Sequence, residues 1–127
     1  MNKDYIRRNE LLGFLDLEDN SDCKRFENLS IKTTKTLVAE KFLHPEENQN
    51  GSPTTLEFIE FMEKYPEVKS HGFVLSTERT GCEYGIVLEG LQYNGEVSIE
   101  LLLDFIYLCR YADVFEVDKF GLYSWWD

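Results

Sequence analysis

Between residues 71 and 126 the chain sets two β-rich pairs of segments on either side of a nearly apolar helix, an order that leaves few folds open. Residues 71–76 and 84–89 are rich in β-branched and aromatic side chains and flank the turn residues Thr80 and Gly81, as an antiparallel strand pair does. After a second turn at Asn94-Gly95, Ser98 can cap a helix running to Tyr111 or Ala112. Its Ile99, Leu102, Phe105, Ile106 and Cys109 are expected to make it largely buried. Residues 114–117 and 122–126 alternate around a turn at 118–121 and read as a final hairpin. Two hairpins separated by a helix predict an α+β fold, with one antiparallel sheet and helices packed on one of its faces.

Upstream, Ser52 can cap a helix with Pro53 at its first position, where the missing N–H costs nothing. This predicts a helix over 53–65, with Leu56, Phe58, Ile59, Phe61, Met62 and Tyr65 on a broad core face, Glu57, Glu60 and Glu63 on a polar stripe, and Pro66 as the stop. Leu37, Val38 and Phe42 recur at helical spacing and predict a shorter helix over 34–43, ended by His44-Pro45; residues 46–51 read as loop. The first 30 residues are poorly defined: Tyr5-Ile6 and residues 11–15 suit either a helix or a strand. With 127 residues, 43% of them apolar, no internal repeat and no linker, residues 1–127 are expected to form a single domain around one core.

Charge restricts the partners. Residues 1–41 carry eight Lys/Arg against eight Asp/Glu, and residues 42–127 carry five against sixteen, so the later part holds the whole formal charge of −11. Affinity for nucleic acid comes from Lys and Arg neutralising phosphates, so nucleic acid is not expected as a partner. No apolar stretch approaches the length of a membrane span, and acidic surfaces are repelled by anionic lipid, so no membrane is expected either. Cys23, Cys82 and Cys109 are an odd set without CxxC spacing, and no apolar run of signal-peptide length follows the basic residues near Met1. The expected location is the cytoplasm.

The motifs that carry chemistry elsewhere are incomplete here. Residues 16–22 with Glu27 partly fit a calcium loop, but Ser21 stands where the sharp turn needs Gly, so a solvated acidic turn is the expectation. His44 and His71 have no metal-ligand spacing, and Ser76 lies among Leu75, Thr77 and Glu78 rather than in the small-residue elbow of a serine nucleophile. No Gly-rich phosphate loop is present, and no metal, cofactor or catalytic residue is implied.

The strongest remaining feature is the last helix, where Glu100, Asp104, Tyr107 and Tyr111 share one face. Carboxylates beside tyrosines suit a cationic protein surface, because Tyr stacks with Arg while the acids pair its charge. Trp125 and Trp126 extend the candidate contact set; as strand neighbours they point to opposite faces, so one indole is expected to be buried and the other more exposed. The expectation is a non-enzymatic acidic domain that captures a basic protein, and small immunity or antitoxin-like proteins share this size and charge as a class. Homo-oligomerisation through the edge of the terminal hairpin is a variant that net repulsion weakens. The alternative is a small enzyme or ligand-binding domain with a pocket between the sheet and the 53–65 helix.

Overall fold

The structure, a computed structural model, describes residues 5–14, 23–48, 51–75 and 84–126. The N-terminal ambiguity resolves as one helix and one strand. Helix α1 (Tyr5–Leu12) stops at Gly13, whose φ of 81° is the left-handed conformation that glycine adopts without penalty. There the N–H of Phe14 donates to the Asn9 carbonyl (2.9 Å) and that of Gly13 to Glu10 (3.1 Å), which satisfies two carbonyls of the last turn. Arg8 and Asn9 are buried; the Arg8 guanidinium donates to Asn9 Oδ1 and, through Nη1, to the Tyr84 carbonyl at 2.8 Å. Strand β1 (Lys24–Leu29) follows.

Two helices begin elsewhere than local spacing predicts, in each case because a better cap is present. Helix α2 (Ile31–Ala39) starts at Ser30, whose Oγ accepts from the Thr33 N–H at 3.1 Å, and not at Thr34. It ends before Lys41, which has φ 67°, and sends the buried Phe42 and Leu43 inward. Helix α3 (Thr55–Lys64) is capped by Thr54 and not by Ser52: Thr54 Oγ1 accepts from the Glu57 N–H (3.2 Å) while the Glu57 carboxylate accepts from the Thr54 N–H (3.0 Å).

Strands β2 (Lys69–Val74) and β3 (Ile86–Asn94) form the first strand pair, with β2 beginning and ending two residues earlier than expected and β3 running five residues further. Helix α4 (Ile99–Leu108) has the expected cap, Ser98 Oγ accepting from the Leu101 N–H at 3.1 Å. Strands β4 (Val114–Asp118) and β5 (Gly121–Trp125) form the terminal hairpin around Lys119-Phe120. The α+β expectation holds: the sheet has five antiparallel strands in the order β1-β2-β3-β5-β4, with β1 added outside the two hairpins. The predicted turn at Thr80-Gly81, Cys82, Ser76 and residues 16–22 of the calcium-loop reading lie outside the described residues.

One hydrophobic cluster joins the helices to one face of the sheet. Leu37 of α2, Phe58, Phe61 and Met62 of α3, and Leu101 and Phe105 of α4 meet Phe26, Val74, Ile86, Leu88, Leu91 and Leu122 from the strands. Trp126 lies edge-on to Phe58, with ring centroids 5.7 Å apart. The expectation for α4 needs correction. Only Leu101 and Phe105 within the helix are fully buried, followed by Cys109 at its cap, whereas Ile99, Leu103 and Ile106 are exposed. No helix of the described residues is long and apolar enough to cross a membrane.

Candidate functional site

Helix α4 divides the candidate residues by its geometry. Because Leu101 and Phe105 turn to the sheet, residues at +3 from each, Asp104 and Leu108, face α3, and Tyr107 lies just above them. Between the two helices runs an open groove of about 310 Å³ lined by Glu57, Glu60, Phe61, Asp104, Tyr107 and Leu108. Its floor is apolar and aromatic, and its rim carries three carboxylates.

These acids are not equivalent. Asp104 Oδ2 accepts from Lys64 Nζ at 2.8 Å and from the Tyr65 hydroxyl at 2.5 Å, which holds its carboxyl below the usual carboxylate range. The Tyr65 phenol is pushed up to about 12, by burial first and then by its bond to Asp104. Lys64 also lies 3.9 Å from Glu100, so one lysine serves both carboxylates that the sequence placed on the binding face. Glu57 is engaged at the α3 cap, and Glu60 has no ion pair among the described residues.

Tyr107 and Tyr111 are exposed at 69% and 78%, and between them sits Arg110, its guanidinium carbon 4.1 Å from the Tyr107 ring centre and 5.1 Å from that of Tyr111. The two rings thus hold a cation already, supplied with Tyr111 by the turn that follows α4. Along the same outer surface Ile99 and Leu103 are exposed at 75% and 60%, joined by the exposed Ile106. Sequence reasoning missed these three. It assigned the apolar residues of α4 to the core, although a helix with apolar residues on every side has more of them than one sheet face can cover.

On the far side of α3 a second open groove, about 600 Å³, is lined by Ile31, Lys32, Lys35, Thr36 and Ala39 of α2 with Glu63 and Pro66. Its cations come from the charge-neutral first third of the chain. Lys35 lies 3.8 Å from Glu63 there, so α3 separates a groove of mixed charge from one rimmed by three carboxylates.

The two tryptophans are not part of the α4 face. Trp126 is 1% exposed and packed in the core, the buried indole of the pair, and so presents no surface to a partner here: it is on the same side of β5 as Leu122 and Ser124, under the helices. Trp125 lies on the opposite face of the sheet, where no helix of the described residues packs, half-buried, and its Nε1 donates to Glu89 Oε2 at 2.9 Å. The other Glu89 oxygen accepts from Arg25 of β1. A bulge in β3 puts Glu89 there: register shifts between His71↔Gly90 and Gly72↔Leu88, so Glu89 is the extra residue and turns to the same face as Gly90. Gly90 has no side chain to block His71, whose ring crosses β3 so that Nε2 meets the Ser124 carbonyl at 2.8 Å, and stacks on Tyr123 with centroids 5.0 Å apart.

This second cluster brings together a histidine, a carboxylate and two aromatic rings, yet its polar atoms are occupied by one another. The geometry serves cohesion between β1, β2, β3 and β5. Burial pushes the His71 imidazole below its ordinary value, against the opposing effects of the Ser124 carbonyl and Glu89. The unfolded chain takes up this proton near pH 6.5 and the native state resists it, so the contribution to stability is whole above that pH and is lost as pH falls from there toward the depressed native value. Urea unfolding is expected to show a midpoint that falls from pH 7 to 5.5, with a flatter slope in His71→Gln; equal slopes would refute the assignment.

Phe58 and Met62 of α3 are buried in the core cluster with the strands. Among the described residues no group of three His, Cys, Asp or Glu side chains converges as a metal site. The cysteine thiol at position 109 is pushed up to about 12 by burial, which makes it unreactive at neutral pH. Comparison of the chain with protein-family models, with curated proteins and with solved structures finds no match.

Proposed function

We propose that this chain is a non-enzymatic acidic protein-binding domain that captures a basic partner on the outer surface of α4, in the cytoplasm. The observation that carries the reading is the run of exposed Ile99, Leu103 and Tyr107 along α4, with exposed Tyr111 in the turn after it, beside a groove rimmed by Glu57, Glu60 and Asp104. Contiguous apolar and aromatic exposure is costly in water and marks contact surfaces, with Tyr among the residues that anchor them. The surrounding negative charge raises the rate of encounter with a cationic protein and sets its orientation. Glu100, more exposed than Asp104 and farther from Lys64 at 3.9 Å, can pair with a partner's cation beside the groove.

The reading is tested by affinity capture from native lysate at low and high salt, comparing the parent with Leu103→Ser/Tyr107→Ala. A basic protein released by salt is expected with the parent and weakened about tenfold or more in the double variant. These side chains are exposed, so the fold is expected to persist, checked by an unchanged circular dichroism spectrum. Equal capture by parent and variant would remove the α4 surface from the reading.

A further inference from the structure

Among the described residues the sheet has two open edges, and they differ. At β1 the register is broken between Phe26 and Leu29 and Asn28 takes φ 56°, an irregularity that blunts an edge against added strands. At β4 the register with β5 is regular over all five residues. Trp126 donates its N–H to the Glu89 carbonyl of β3 at 2.8 Å, so the even-numbered residues of β5 face β3 and the odd-numbered ones face β4. Val114, Glu116 and Asp118, paired with Trp125, Tyr123 and Gly121, therefore take the bonds to β5, while Phe115 and Val117 turn their N–H and C=O groups to the open side. No strand lies there among the described residues.

The side chains along this edge are sorted by face. Phe115 and Val117 lie on the helix side, opposite Ser124 and Leu122. Phe115 is half exposed with its ring 6.2 Å from Phe105, which in turn lies 6.2 Å from Phe61 of α3; β4 is thus on the flank of α4 turned away from α3, the flank that carries exposed Ile99 and Ile106. On the other side of the sheet Val114, Glu116 and Asp118 form the row, and neither carboxylate has an ion pair among the described residues.

We propose that the open edge of β4 is a strand-addition site for an extended basic segment of a partner protein, with Lys or Arg at alternate positions facing Glu116 and Asp118 and apolar side chains between them entering beside Phe115 under α4. The proposal rests on the protein-binding reading above and adds where the partner's backbone lies. Charge selects the occupant. A second copy adding antiparallel through β4 would set Glu116 against Glu116 when centred there, or Glu116 against Asp118 when centred on Val117, and directly opposed like charges destabilise a strand pair. A lysine-bearing strand meets the same row with opposite sign, and its main chain completes the hydrogen bonds that Phe115 and Val117 leave open.

The probe is a capped heptapeptide, Lys-Val-Lys-Leu-Lys-Val-Lys, titrated into the full chain at low salt, with two further versions N-methylated at the apolar residues or at the lysines. Only one set of peptide N–H groups can face β4, so one version is expected to lose binding by about tenfold or more and the other to bind like the parent peptide. The amides of Phe115 and Val117 are expected to gain hydrogen-exchange protection of about tenfold or more when the unmodified peptide is bound. Equal binding of both N-methylated versions, protection confined to α3 and α4, or no binding at all would overturn the proposal. So would a dimer of the unliganded protein with these amides already protected. The lysate capture described above is independent of the β4 edge, so its loss in Leu103→Ser/Tyr107→Ala would uphold the α4 reading even where strand addition fails.

Discussion

Gly90→Ala is expected to destabilise the protein by about 4 kcal/mol, a loss at the upper end for a single methyl group. A Cβ built on Gly90 lies 1.9 Å from the Ser124 carbonyl oxygen and 2.7 Å from His71 Nε2. The first of these is backbone of the neighbouring strand, so no rotamer change relieves it; β3 and β5 must move apart, and the His71 ring must also leave its place over β3. Together these shifts break the stack on Tyr123 and the contact with Ser124. Urea unfolding measures the effect, and a loss below about 1 kcal/mol would show that the bulge at Glu89 lets the strand yield, contrary to this account.

The second large effect separates the two tryptophans. Trp126→Ala removes a fully buried indole from the contact with Phe58 and is expected to cost about 3–5 kcal/mol. Trp125→Phe keeps a ring on the opposite face of the sheet and removes one donor from Glu89, which is 3% exposed and retains its bond to Arg25. That loss is expected to be about 1–2 kcal/mol. Equilibrium unfolding of both variants decides the matter: a Trp126→Ala protein as stable as Trp125→Phe would mean that the indole at 126 is not a core element.

The core was more legible in the sequence than the surface, and the reasons are local. Ser98 and the alternation after Val114 announced α4 and the terminal hairpin, because capping and period-two patterning act within a few residues. The start of α3 was misread: Ser52-Pro53 is a sound start signal, but Thr54 with Glu57 satisfies two backbone donors at once and wins. Strand β1 could not be seen, since Lys24, Arg25, Glu27 and Asn28 give it no clear alternation and its partner β2 lies far along the chain.

Of the candidate residues, helical spacing placed Glu100, Asp104 and Tyr107 on α4, because that relation is intrinsic to a helix, whereas the helix expected to reach Tyr111 or Ala112 ends at Leu108 and leaves Tyr111 in the turn beyond its cap. Nothing in the spacing revealed that Lys64 of α3 would lie against Asp104, or that Arg110 would settle between the tyrosines. The exposure of Ile99, Leu103 and Ile106 was hidden for the same reason. How much of a helix is covered depends on neighbours chosen by the tertiary fold.

Helix α3 standing between the Lys32/Lys35 groove and the Glu57/Glu60/Asp104 groove has a consequence for motion in solution. With Lys35 paired to Glu63 on one side and Lys64 to Asp104 on the other, the remaining imbalance of charge gives the molecule an electric dipole across the helical layer, and the field of an approaching cationic protein exerts a torque on it. The domain is turned before contact, acid side leading, so that fewer encounters are spent on unproductive orientations.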